Sequence, residues 1–185
     1  WDWKAECAET AVVLRVRRDD GPDFLTFVEA GGLARCGMNE AGICITANYL
    51  ESERDFTQTG VPLALIRRKV LEQEHLAFAI KAVATTPKAS SNNMMLSTVK
   101  GFGIDFECAP DEAFPLYPSE GLIVHANHWV GQVALAKLRD TGTPRVPESF
   151  YRDWRVMKLL NEAGEKLTVD DLKAAFFDEF LTPPS

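Results

Sequence analysis

Four strand-like runs follow one another in the first fifty residues with only short turns between them. This spacing constrains the fold more than any other feature of the chain. Ala11-Val12-Val13-Leu14-Arg15-Val16-Arg17 is rich in β-branched and apolar residues. Asp19-Asp20-Gly21-Pro22-Asp23 is a turn, and Phe24-Leu25-Thr26-Phe27-Val28-Glu29 is the returning strand of a hairpin. Gly31-Gly32 interrupts the chain. Leu33 to Met38 then leads through the turn Asn39-Glu40-Ala41-Gly42 into Ile43-Cys44-Ile45-Thr46-Ala47-Asn48, with Gly42 available for a positive φ. Parallel strands need a crossover of about a dozen residues or more, so these short connections imply antiparallel neighbours.

The period changes after Pro62, a residue suited to a helix start. Leu63, Ile66, Val70 and Leu71 follow at helical spacing, and a second helix covers Leu76 to Thr85 until Pro87 bars it. The polar knot Ser90-Ser91-Asn92-Asn93 leads into a strand from Met94 to Val99, and Ile104-Asp105-Phe106-Glu107-Cys108 alternates plainly. A Pro-rich loop (Pro110, Pro115, Pro118) precedes an apolar run expected to be a strand, Leu122-Ile123-Val124. Two helices close the chain. One runs from Ser149 to Ala163 and ends at Gly164, and one starts at Thr168 with Asp171 as its capping-box acid. Strands, two helices, strands, two helices is an α+β order, expected to form one domain over 1–185.

The chemistry concentrates where the Leu122 run ends, at His125-Ala126-Asn127-His128-Trp129. Polar side chains beside a buried run must find partners or act on a ligand. His125 and His128 have no third ligand or carboxylate cluster beside them in sequence, so no metal is expected and they are read as supports. Asn127 is the candidate, because a side-chain amide donates to a developing oxyanion without a proton to transfer. Cys7, Cys36, Cys44 and Cys108 form no C-x-x-C and are read as small apolar residues. Their scatter suits a reduced, cytoplasmic protein. The net charge of −7 argues against nucleic acid, and no apolar stretch reaches the ~20 residues of a membrane span.

These pieces resemble one family. Trp1-Asp2-Trp3, Met38-Asn39-Glu40-Ala41-Gly42-Ile43 followed by Asn48-Tyr49-Leu50, Ala89-Ser90-Ser91-Asn92-Asn93, Ile104-Asp105-Phe106-Glu107 and His125-Ala126-Asn127-His128 occur in that order over nearly the whole chain. They are similar to the acyl-coenzyme A:6-aminopenicillanic-acid acyltransferases, the C45 group of autoproteolytic N-terminal-nucleophile hydrolases. The resemblance implies a four-layer αββα sandwich with antiparallel sheets. It also implies self-cleavage before a cysteine whose thiol is the nucleophile and whose own α-amine is the base. An α-amine with a pKa of about 7.7–8.0 suits that task near neutral pH.

Carried over residue by residue, the resemblance makes Asp2 the acid that holds the nucleophile's end of the site. Asn127 becomes the oxyanion donor. Trp3, Tyr49, Leu50 and Asn93 fall at the acyl and amine pockets. The family's cysteine would precede Trp1 by about one strand, so the chain is expected to be an inactive fragment lacking both ends. The implied substrate is a small acyl amide or acyl thioester, with no cofactor, with acyl-coenzyme A open as a co-substrate and a homo-oligomer open as the assembly. Two other readings stay open: a small-ligand-binding module that has lost its nucleophile, and an amidase of the choloylglycine or penicillin V hydrolase kind.

Overall fold

The computed structural model describes residues 5–164 and 166–179. In chain order its elements are α1 (Ala5–Thr10), β1 (Ala11–Val16), β2 (Phe24–Glu29), β3 (Cys36–Asn39), β4 (Ile43–Tyr49), α2 (Leu63–Leu71), α3 (Leu76–Thr85), β5 (Asn92–Thr98), β6 (Gly103–Cys108), β7 (Ala113–Leu116), α4 (Gln132–Lys137), α5 (Ser149–Ala163) and α6 (Val169–Phe176). All seven strands form one antiparallel sheet in sequential order, β1 to β7. Gly42 makes the expected β3–β4 turn at φ +77°. Thr168 and Asp171 cap α6 reciprocally, and Gly164 ends α5 at φ +92°.

Register decides which side chains share a face. Ile45 lies opposite Leu96, and Leu96 opposite Ile104; Met94 lies opposite Phe106. These residues are buried with Ile43 and Cys108 under Ile66, Val70 and Leu71 of α2 and Ala79 and Val83 of α3. Each large apolar side chain in this layer contributes about 1.5–3 kcal/mol. The alternate residues face away from α2 and α3. Asn48, Asn93 and Glu107 align in one row across that second face, with Asp105 beside them on β6.

Two expectations need correction. Leu122-Ile123-Val124 is not a strand. Glu120 and Gly121 take positive φ values of 52° and 83°, Ser119 and Leu122 pair in a single bridge, and the chain then leaves the sheet. The edge position is taken instead by β7, inside the Pro-rich loop. Pro115 is tolerated there because an edge strand has one side that needs no ladder partner. The polar knot also begins the strand rather than preceding it, since Asn92 and Asn93 are the first two residues of β5 and are buried.

Candidate functional site

Residues 125–131 cross the β4–β6 end of the second face without secondary structure of their own. Three of their backbone groups are satisfied by side chains from the sheet. Glu107, fully buried on β6, holds three donors: Oε1 accepts from the Val130 N–H (2.5 Å) and His125 Nε2 (3.1 Å), and Oε2 accepts from the Gly131 N–H (3.0 Å). A Cβ at Gly131 would stand 2.4 Å from Glu107 Oε2, so only glycine allows that approach. Asn48 of β4 donates its amide to the His125 carbonyl. Trp129 is buried and donates Nε1–H to the Glu51 carbonyl (2.7 Å), joining a small core of Leu50, Ala109, Phe114, Ala134 and Leu138.

Both ring nitrogens of His125 face acceptors, Nδ1 the Ala126 carbonyl (3.0 Å) and Nε2 the Glu107 carboxylate. Only the doubly protonated ring donates to both. Burial opposes that charge, but the Glu107 hydrogen bond and the nearby Asp105 prevail and hold His125 above the ordinary histidine range. Asp105 accepts from Asn93 Nδ2 at 2.5 Å, and its second oxygen, Oδ1, is buried with no hydrogen-bond partner among the described residues. Burial pushes its carboxyl up.

Asn127 lies between the sheet and α5. Its backbone N–H donates to Ser149 Oγ (2.7 Å), its Nδ2 donates to the Tyr49 carbonyl (3.0 Å), and its Oδ1 accepts from Arg152 Nη2 (3.0 Å). The partners settle which way the amide points, since a guanidinium only donates and a carbonyl only accepts. An amide nitrogen has two hydrogens. One goes to Tyr49, and the other has no partner among the described residues.

The structure brings Asn127 and Tyr49 together, with the Tyr49 side chain 55% exposed. Leu50 is buried in the Trp129 core, and Asn93 is buried with its amide engaged by Asp105. Asp2 and Trp3 lie outside the described residues. Sequence reasoning did not single out Arg152 or Ser149. The signal available was Ser149-x-x-Arg152-Asp153, which puts three polar groups on one face of a helix's first turns.

Among the described residues no cluster of three or more His, Cys, Asp or Glu could hold a metal ion, and no helix is long and apolar enough to cross a membrane. All four cysteines are free. Burial raises the Cys36 thiol and pushes that of Cys108 up to about 12, the opposite of what a thiolate nucleophile needs.

Two solved structures share this architecture. A Caenorhabditis elegans N-acylethanolamine-hydrolyzing acid amidase ortholog is 14% identical and superposes with a TM-score of 0.72, over 96% of this chain and 77% of that one. A penicillin V acylase from Agrobacterium tumefaciens is also 14% identical, with a TM-score of 0.56 over 91% of this chain and 60% of that one. The fold is that of the N-terminal-nucleophile hydrolases. A family model describing the acyl-coenzyme A:6-aminopenicillanic acid acyl-transferases matches residues 1–178, and the chain belongs to that family.

Proposed function

We propose that this chain carries the oxyanion-stabilising part of an autoproteolytic cysteine hydrolase or acyltransferase acting on amide or thioester bonds of small acylated molecules. Family membership and fold support acyl chemistry at amide bonds. The names of the two structural relatives, an N-acylethanolamine-hydrolyzing acid amidase and a penicillin V acylase, support a small acylated substrate.

The observation that carries the reading is the Asn127 amide. Arg152 holds its oxygen and Tyr49 takes one of its hydrogens, which leaves a rigid N–H as a donor. In the proposed step a cysteine thiolate adds to the acyl carbonyl carbon. The C–S bond forms, and the carbonyl electron pair moves onto oxygen. The free N–H of Asn127 stabilises that oxyanion, a preorganised dipole aimed at charge that exists only in the transition state. Collapse expels the amine with a proton from the nucleophile's own ammonium. Water or an acceptor amine then releases the acyl group from sulfur.

The test uses the natural full-length protein. Mass spectrometry follows self-cleavage, and an N-acyl-7-amino-4-methylcoumarin reports amide hydrolysis. Asn127→Ala should lower kcat by about 10²–10³-fold with self-cleaved protein still present. An unchanged kcat removes Asn127 from the reaction. Added acyl-coenzyme A and an acceptor amine separate transfer from hydrolysis by the appearance of an acylated product.

A further inference from the structure

We infer that Ser149, the first residue of α5, is a positioning residue for Asn127, and that His128 holds the Ser149 hydroxyl in that role. The inference rests on Asn127 being the oxyanion donor.

Ser149 is fully buried, so its hydroxyl does not face a substrate. Its oxygen accepts the Asn127 N–H at 2.7 Å and stands 2.8 Å from His128 Nδ1. A hydroxyl has one hydrogen to give. The oxygen has two lone pairs and could also receive a ring N–H, so the direction of the second bond is part of the inference: the hydroxyl hydrogen points at His128 Nδ1, which carries a lone pair, and the ring proton sits on Nε2. The imidazole is held in place by Phe150, the next residue of α5, with ring centroids 4.4 Å apart. The groups facing His128 come from several elements: Asp153 on α5, His125 on its own segment, Asp140 beyond α4 and Glu107 on β6. Burial outweighs the three carboxylates and keeps the ring below the ordinary histidine range, in the neutral form the bond requires.

The neighbouring contacts show why this bond matters. Arg152 donates to the Asn127 side chain, and Phe150 packs against the His128 ring. Asn127 and His128 therefore dock on one turn of α5 through Ser149, Phe150 and Arg152. Arg152 orients the amide, and Ser149 holds the Asn127 backbone N–H beside which the amide projects. A donor displaced by about 1 Å costs on the order of 10²-fold in rate.

The experiment measures kcat and KM of the full-length processed enzyme with the same coumarin amide. Ser149→Ala should lower kcat about 10–100-fold with KM within about twofold, and the Asn127→Ala/Ser149→Ala double variant should be no slower than Asn127→Ala alone. His128→Leu, which removes the acceptor and keeps Ser149, should show the same loss and the same cancellation. The 15N shifts of His128 should report an unprotonated Nδ1. A wild-type kcat for Ser149→Ala beside a slow Asn127→Ala, or losses that multiply in the double variant, overturns this inference and leaves the oxyanion reading standing. A wild-type kcat for Asn127→Ala overturns both. If Ser149→Ala does not fold, His128→Leu carries the comparison: a wild-type kcat there, or a protonated Nδ1, overturns the arrangement.

Discussion

Asp105 and Glu107 sit two residues apart on β6, both fully buried on the same face, yet their surroundings differ. Among the described residues Glu107 is matched by three donors and Asp105 by one, and burial raises the Asp105 carboxyl. The two histidines diverge in the same way, and their pH effects carry opposite signs. For His125, burial is outweighed by the Glu107 bond and the proton is held more tightly than in the unfolded chain. Its stabilisation is complete below the unfolded pKa of about 6.5 and is lost as pH rises through the raised folded value. For His128, burial lowers the pKa, so stability is lost as pH falls from about 6.5 through the folded value. Urea midpoints measured across this range should show both losses. His125→Gln should remove only the alkaline one and His128→Gln only the acid one; identical profiles for the two variants would contradict the assignment. Asn127 was legible as a candidate because few residue types serve as a neutral oxyanion donor. Arg152 was not, since 25 positions separate it from Asn127 and only the docking of α5 makes them neighbours.

At the level of elements, alternation and turn chemistry predicted β1, β2, β4 and β6 closely. β2 and β4 alternate between buried and more exposed residues, and that contrast is written in their sequence, whereas β6 is buried on both faces and alternates apolar with acidic side chains. Leu122-Ile123-Val124 has suitable residues but no neighbouring strand to pair with beyond one bridge, and β7 has a proline but an edge to occupy. Strand formation depends on a partner, which a local pattern does not report. The turn between β3 and β4 illustrates the converse, a local feature with a distant use. Asn39 is buried; its Oδ1 accepts the Ile43 N–H (2.9 Å), while Nδ2 donates to the carbonyls of Leu71 (3.0 Å) and Gln73 (2.8 Å) at the end of α2. One side chain closes the hairpin and satisfies the helix terminus. Asn39→Ala should cost about 1–3 kcal/mol, because it strands buried backbone groups rather than merely deleting a contact. A lower urea midpoint at unchanged m-value would show this, and a midpoint equal to wild type would refute it.

Across the whole molecule, the two faces of the sheet are unequal. One is sealed by α2 and α3; the other is covered at the β4–β7 end by residues 125–131 and the Trp129 core. Toward β1 it stays open: Leu25 and Met38 lie opposite each other there, 43% and 55% exposed, and Val13 on β1 is 70% exposed. Contiguous apolar surface of this kind promotes association. The 185-residue chain produced alone should self-associate in sedimentation experiments, and Leu25→Thr with Met38→Thr should shift it toward monomer; a monomer before any substitution would refute this. By itself the sequence determined the antiparallel run of the first four strands, the positions of α2, α3, α5 and α6, and Asn127 as the residue to examine. These rest on turn length, periodicity and the chemistry of single side chains, all local properties. Only the tertiary structure decided that Glu107 would hold the 125–131 segment, that Asn93 would be spent on Asp105, and that α5 would bring Ser149 and Arg152 to Asn127. Each is a contact between residues far apart in the chain, and burial rewards such a contact only after the sheet has closed and its register has chosen the facing side chains.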